Sequence, residues 1–118
     1  MNFFCWWDGD LLRELLEGSR VTKWDWERER ESTLQQLTGR SGRYPCLTAD
    51  ILGDWREEVL LPGPDGRSLR LFTTTRATDH RIYTLMHDPQ YRTAVAWQPN
   101  MYNQPPHPSF YIGAGMDE

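Results

Sequence analysis

Turn-forming residues recur so often along this chain that no apolar run grows long. Asp8-Gly9-Asp10, Gly18-Ser19, Gly53-Asp54 and Pro62-Gly63-Pro64-Asp65-Gly66 interrupt it. Gly supplies left-handed backbone, Pro presets φ, and Asp bonds its own backbone, so each favours a reversal for a separate reason. Runs bounded this way suit strands of about five or six residues. They also exclude a membrane-spanning helix, which needs roughly 20 consecutive apolar residues. The chain's 118 residues include six Trp, five Tyr and four Phe, an aromatic load that argues for one small packed domain over disorder. A net charge of −4, with both signs scattered along the chain, argues against a nucleic-acid partner, which selects for a basic face.

Phe3 to Trp7, the turn Asp8-Gly9-Asp10 and Leu11 to Glu17 read as a hairpin. A helix over Asp10–Glu17 competes with it, because Leu11, Leu12, Leu15 and Leu16 also fit one helical face. Val21 to Glu27 alternates with period two and predicts a strand. Residues 28–44 run polar, and Thr38 to Tyr44 is a loop by composition. Cys46–Leu52 and Glu57–Leu61 are apolar runs, and Ser68–Thr74 is rich in β-formers. One helix is expected near residues 89–98: Asp88 supplies an N-cap, Pro89 the first helical position, and Tyr91, Ala94, Val95 and Gln98 recur at helical spacing. Tyr91 and Trp97 are expected to pack onto the sheet, and most of the tryptophans to lie in the core. Three prolines in Tyr102 to Pro108 leave that segment a loop. The reading is all-β with one short helix.

Met1 to Asp8 has no positive leader and too short an apolar core for a signal peptide. The chain opens as if inside a strand, which suggests an excised piece of a longer protein. Cys5 and Cys46 permit either one disulfide or buried free thiols.

The sharpest local pattern is Asp50-Ile51-Leu52-Gly53-Asp54-Trp55-Arg56-Glu57-Glu58. Carboxylates at Asp50, Asp54 and Glu58 around a central Gly suit a hard cation such as calcium, which takes six to eight oxygens. The same residues also suit a polar turn whose carboxylates accept backbone amides. Asp8-Gly9-Asp10 is a shorter echo, better read as a bare turn. His80, His87 and His107 sit at no metal-ligand spacing, and no nucleophile elbow or phosphate loop is present. In the tail, Tyr102, Asn103, Gln104 and His107 on a proline-fixed loop suit carbohydrate, with a ring for a sugar face and amides for hydroxyls.

Several strings together resemble one family: Trp6-Trp7-Asp8-Gly9-Asp10, Ala49 through Val59, Tyr83 through Arg92, Val95-Ala96-Trp97-Gln98 and Tyr102-Asn103-Gln104-Pro105-Pro106-His107. Over nearly the whole chain the sequence is similar to the C-terminal end of bacterial rhamnogalacturonan lyases of polysaccharide lyase family 11. The resemblance implies an eight-bladed β-propeller, calcium, and β-elimination within the pectin backbone. At about 40–45 residues per blade, this chain supplies two or three blades, the remaining blades being its partners. It also implies a secreted parent enzyme acting on an acidic plant polysaccharide.

By that resemblance Tyr102 takes the position of a catalytic Tyr. Arg40, Ser41, Gly42 and Arg43, with Asn103 and His107, contact substrate, and Asp50, Asp54 and Glu58 hold calcium. The family's polar segment contains a Lys. Here Gly39 to Tyr44 has none, and Arg40 and Arg43 are its cations. An Arg neutralises a carboxylate but is a poor proton acceptor. The alternative function is a propeller segment that binds pectin without cleaving it.

Overall fold

The computed structural model describes residues 3–38, 45, 47–98, 100 and 103–118. Among these residues seven antiparallel strands form two sheets, with one short helix, so the described fold is all-β in the main. The first sheet runs in chain order: β1 (Phe3–Cys5), β2 (Glu14–Glu17), β3 (Arg20–Asp25) and β4 (Arg30–Gln36). The second is β5 (Leu47–Ala49), β6 (Glu58–Pro62) and β7 (Leu69–Phe72), also in chain order. A 3-10 turn at Leu85–His87 leads into α1 (Pro89–Trp97). Among the described residues no helix is long and apolar enough to cross a membrane.

Of the four leucines in residues 11–16, Leu15 and Leu16 lie in a strand and Leu11 and Leu12 in the bend before it. Leu16 pairs with Phe3 on one side and Val21 on the other. The connection from β1 is longer than a two-residue hairpin because Asp8 and Asp10 each turn the chain. Asp8 Oδ1 accepts the Asp10 amide at 3.1 Å, and Asp10 Oδ1 accepts the Leu12 amide at 2.8 Å. Gly9 lies between them at φ +94°, where a Cβ would meet the Thr78 side chain at 2.9 Å. The polar run after Asp25 contains β4, an exposed edge strand with no apolar alternation. It is held by its register on β3, from Asp25 opposite Arg30 to Arg20 opposite Gln36. A register shift at Val21/Thr22 buries both of those neighbours in β3, against strict alternation.

Two apolar clusters hold the molecule together. Phe3, Cys5, Trp7, Leu16, Val21 and Leu37 from the first sheet meet Val59 and Leu61 from the second. Trp6 instead joins Trp55, Leu85 and Tyr91. Adjacent residues of an extended chain face opposite ways, so the Trp6-Trp7 pair serves both clusters. Cys5 is a free buried thiol; burial first, then Glu57 and Glu14, push it up. Cys46 lies outside the described residues.

The helix begins as expected, with Asp88 accepting the Gln90 amide at 3.0 Å. Tyr91 is buried, but Trp97 is 68% exposed. Six residues at 100° each place Trp97 well off the Tyr91 face, so the two do not pack together. Of the six tryptophans, Trp6, Trp7 and Trp55 are core, while Trp24, Trp26 and Trp97 are exposed. Gln98, just past the helix, is buried and pairs with both backbone groups of Thr48, at 2.9 Å to its amide and 2.6 Å to its carbonyl.

Candidate functional site

Among its described residues the tail loop carries no helix or strand, so side-chain contacts fix its course. Asn103 Nδ2 donates to the Pro45 carbonyl at 2.9 Å. Arg13 donates to the Pro106 carbonyl at 2.8 Å, and its other terminal nitrogen meets His107 Nδ1 at 2.9 Å. The Ser109 amide donates to Asp88 Oδ2, so the helix cap also anchors the loop. Pro105 and Pro106 are buried, and His107 is exposed. Tyr102, Arg40, Ser41, Gly42 and Arg43 lie outside the described residues. Their chain neighbours meet, because the Asn103–Pro45 bond joins the residue after Tyr102 to the residue after segment 39–44. A groove of about 530 Å³ lies beside the other end of that segment, lined by Gln35, Thr38, Phe72, Thr75 and Arg76 among others.

Asp50, Asp54 and Glu58 do not converge on one point. Asp50 is buried and accepts four donors: the amides of Gly53 (2.9 Å), Trp55 (3.2 Å) and Leu85 (2.8 Å), and the Thr84 hydroxyl (2.8 Å). Glu58 accepts the Ile51 and Leu52 amides at 2.8 and 2.9 Å and the Thr73 hydroxyl at 3.2 Å. Asp54 Oδ2 is paired with Arg56 at 2.6 Å. Only Asp54 Oδ1 is left without a partner. One free carboxylate oxygen does not make a calcium cage of six to eight. The residues of this loop therefore do not fit the ion: Asp50 and Glu58 accept backbone amides, as in the polar turn the spacing also allowed, and Asp54 meets Arg56.

The carboxylates that do converge among the described residues are Asp8, Asp10 and Glu14. The Lys23 ammonium stands among all three and bonds each of them, Glu14 at 3.2 Å. Burial pushes the Asp8 carboxyl up, but Lys23 and the Asp10 amide outweigh it and hold it below its ordinary range. Glu14 goes the other way. It is fully buried, and burial outweighs the Trp7 amide and the ammonium, so its carboxyl is pushed up to about 7. Lys23 is held above the usual ammonium range by the same carboxylates, against its own desolvation. The ammonium is the cation of this cluster.

Behind the tail loop lies a buried carboxylate, Glu57. It accepts the Trp6 amide at 3.1 Å, the Tyr91 hydroxyl at 2.6 Å and Arg13 at 3.4 Å. Burial raises its carboxyl, opposed first by the charge of Arg13. Sequence reasoning missed Arg13, Glu14, Lys23 and Glu57 as organising residues. The one local sign was a lone cation, Arg13, inside a leucine-rich run.

Comparison with known proteins places this geometry. Rhamnogalacturonan lyase family 11, C-terminal domain, matches residues 1–118. Rhamnogalacturonan endolyase YesW of Bacillus subtilis (strain 168) is 51% identical over 99% of this chain, which covers 20% of YesW. Rhamnogalacturonan exolyase YesX of the same organism is 48% identical over 98% of the chain, which covers 21% of YesX. The crystal structure of YesW superposes with a TM-score of 0.94 over 99% of the chain and 21% of its own. A Bacillus licheniformis rhamnogalacturonan lyase, 53% identical, also superposes at 0.94 over 98% of this chain and 21% of its own. The chain thus spans about one fifth of the relatives it matches. It belongs to rhamnogalacturonan lyase family 11 and corresponds to that family's C-terminal domain.

Proposed function

We propose that this chain is the C-terminal part of a secreted lyase that cleaves the rhamnose–galacturonate backbone of pectin by β-elimination. The observation that carries this reading is the Asn103–Pro45 bond. It sets the loop after Tyr102 against the end of segment 39–44, in a chain about half identical to two rhamnogalacturonan lyases. The two sheets are then consecutive blades of a propeller whose other blades belong to the rest of the protein.

In this reading a base removes the proton at C5 of galacturonate. The electrons form the C4–C5 double bond, the C4–O bond breaks, and the departing oxygen takes a proton. Removal of the C5 proton is hard unless the neighbouring carboxylate is neutralised. Arg40 and Arg43 supply that charge, and Tyr102 exchanges the proton. His107 holds a sugar oxygen, while Asn103, whose side-chain nitrogen donates to the Pro45 carbonyl, fixes the loop. Calcium is implied by the family resemblance for the whole lyase. Asp50 and Glu58 are held by amides and hydroxyls and Asp54 by Arg56, and no step is routed through the ion.

The test is to incubate the full-length protein with rhamnogalacturonan I and follow ultraviolet absorbance of unsaturated uronate. Absorbance that grows with time, and falls by about 100-fold or more in Tyr102→Phe, supports the proposal. Retention on immobilised pectin without any absorbance would instead make the segment a binding module.

A further inference from the structure

Arg13 is enclosed by groups from three parts of the chain. Its guanidinium carbon lies 4.3 Å from the centroid of the Trp6 ring. One terminal nitrogen reaches Glu57 Oε1 at 3.4 Å and the Pro106 carbonyl at 2.8 Å, and the other meets His107 Nδ1 at 2.9 Å. A guanidinium has only donors and stays charged at any ordinary pH. The imidazole atom facing it is therefore an acceptor, Nδ1 with its lone pair. The proton of a neutral imidazole then sits on Nε2. Nε2 has no hydrogen-bond partner among the described residues, and the ring is exposed.

We infer that Arg13 is a positioning residue that locks the tautomer of His107, so that the tail loop presents Nε2–H as a standing donor to an oxygen of the bound polysaccharide. Among the described residues Arg13 is the charged group facing His107, with Glu57 on the far side of the guanidinium. Burial and the charge of Arg13 both hold the imidazole below its ordinary range, so the ring stays neutral at the pH where an acidic polymer would otherwise attract an imidazolium. The recognition is a directed hydrogen bond rather than an ion pair. The substrate half of this inference rests on the function proposed above; the tautomer half does not.

The experiment uses full-length protein labelled with 15N in histidine, with His107→Gln to assign the signal. The wild type should show one neutral species at pH 7, with Nδ1 bare and Nε2 protonated. Arg13→Gln should give mixed tautomers and move the His107 titration upward toward about 6.5. In turnover, His107→Phe should raise KM for rhamnogalacturonan about tenfold with kcat changed less than about twofold, the size of one hydrogen bond. His107→Gln, whose amide N–H reaches the place of Nε2, should restore most of that affinity. An Nδ1-protonated or charged ring in the wild type overturns the inference. So does a Phe variant that binds as well as His, a result that needs no Arg13 variant to fold. The expected tautomer with no unsaturated product supports the Arg13 lock and sinks the lyase reading alone.

Discussion

Tyr91 donates its hydroxyl to Glu57 across 2.6 Å, with both side chains fully buried. The same oxygen accepts the Asp50 amide at 2.9 Å. One phenol therefore joins α1 to the loop before β6 and to the end of β5. Its own ionisation is pushed far upward, by burial first and then by Glu57, so it acts only as a neutral donor and acceptor. Tyr91→Phe removes a single atom and orphans one oxygen of a buried carboxylate and an amide together. The expected cost is about 2–3 kcal/mol in urea unfolding, with little change in secondary structure by circular dichroism.

Asp50→Asn should cost about 3 kcal/mol or more. The replacement amide keeps one acceptor but turns N–H groups toward the donors on Oδ2, namely Trp55, Thr84 and Leu85. Because these donors are amides and a hydroxyl, the melting temperature should drop equally with and without a chelator. A drop that appears only after calcium is restored would mean that the loop is held by an ion.

Glu14 makes a pH prediction. Its folded carboxyl is raised from 4.5 to about 7, so the native state binds the proton more tightly than the unfolded chain. The contribution to stability is fully present below about pH 4.5 and is lost as pH rises through about 7, on the order of 3 kcal/mol in all. Glu14→Gln should flatten that part of the stability–pH curve, measured by urea midpoints between pH 4.5 and 8. An unchanged slope would mean that Glu14 stays ionised across this range.

Lys23→Met should leave Asp8 and Asp10 repelling each other and push the Glu14 carboxyl further up, so that it takes a proton. The site is partly open to solvent, since the Asp10 side chain is 47% exposed, so the expected loss is about 1–2 kcal/mol. Added salt should recover part of it by screening. Salt that restores nothing would assign the loss to the missing aliphatic stem instead.

Features with a short chemical range were legible in the sequence. Asp88 and Pro89 announce α1 because a cap and a preset φ act within one turn, and Pro62 to Gly66 announces the β6–β7 hairpin. β4 was not legible: an exposed edge strand has no buried face, so it leaves no apolar alternation to read. The Asp50–Glu58 pattern was visible as a carboxylate loop, but its occupant was not. A calcium ion and a set of amide N–H groups both ask for inward-facing oxygens at close spacing. The Arg13–His107 contact spans 94 residues, and no local signal exists for such a pairing. Trp97 shows the converse, since a residue can share a helix with Tyr91 and still face solvent.

Gln98 has a consequence for how the second sheet can grow. Its side-chain amide meets both the N–H and the C=O of Thr48, as a residue of a further strand would. The outer margin of β5 is thereby sealed at its middle residue by a mimic of a peptide unit. The opposite margin, along β7, has no such plug among the described residues and exposes Leu69 and Leu71. Among the described residues the sheet is thus polar in its capacity for extension: closed at β5 toward the helix, and unpaired beyond β7.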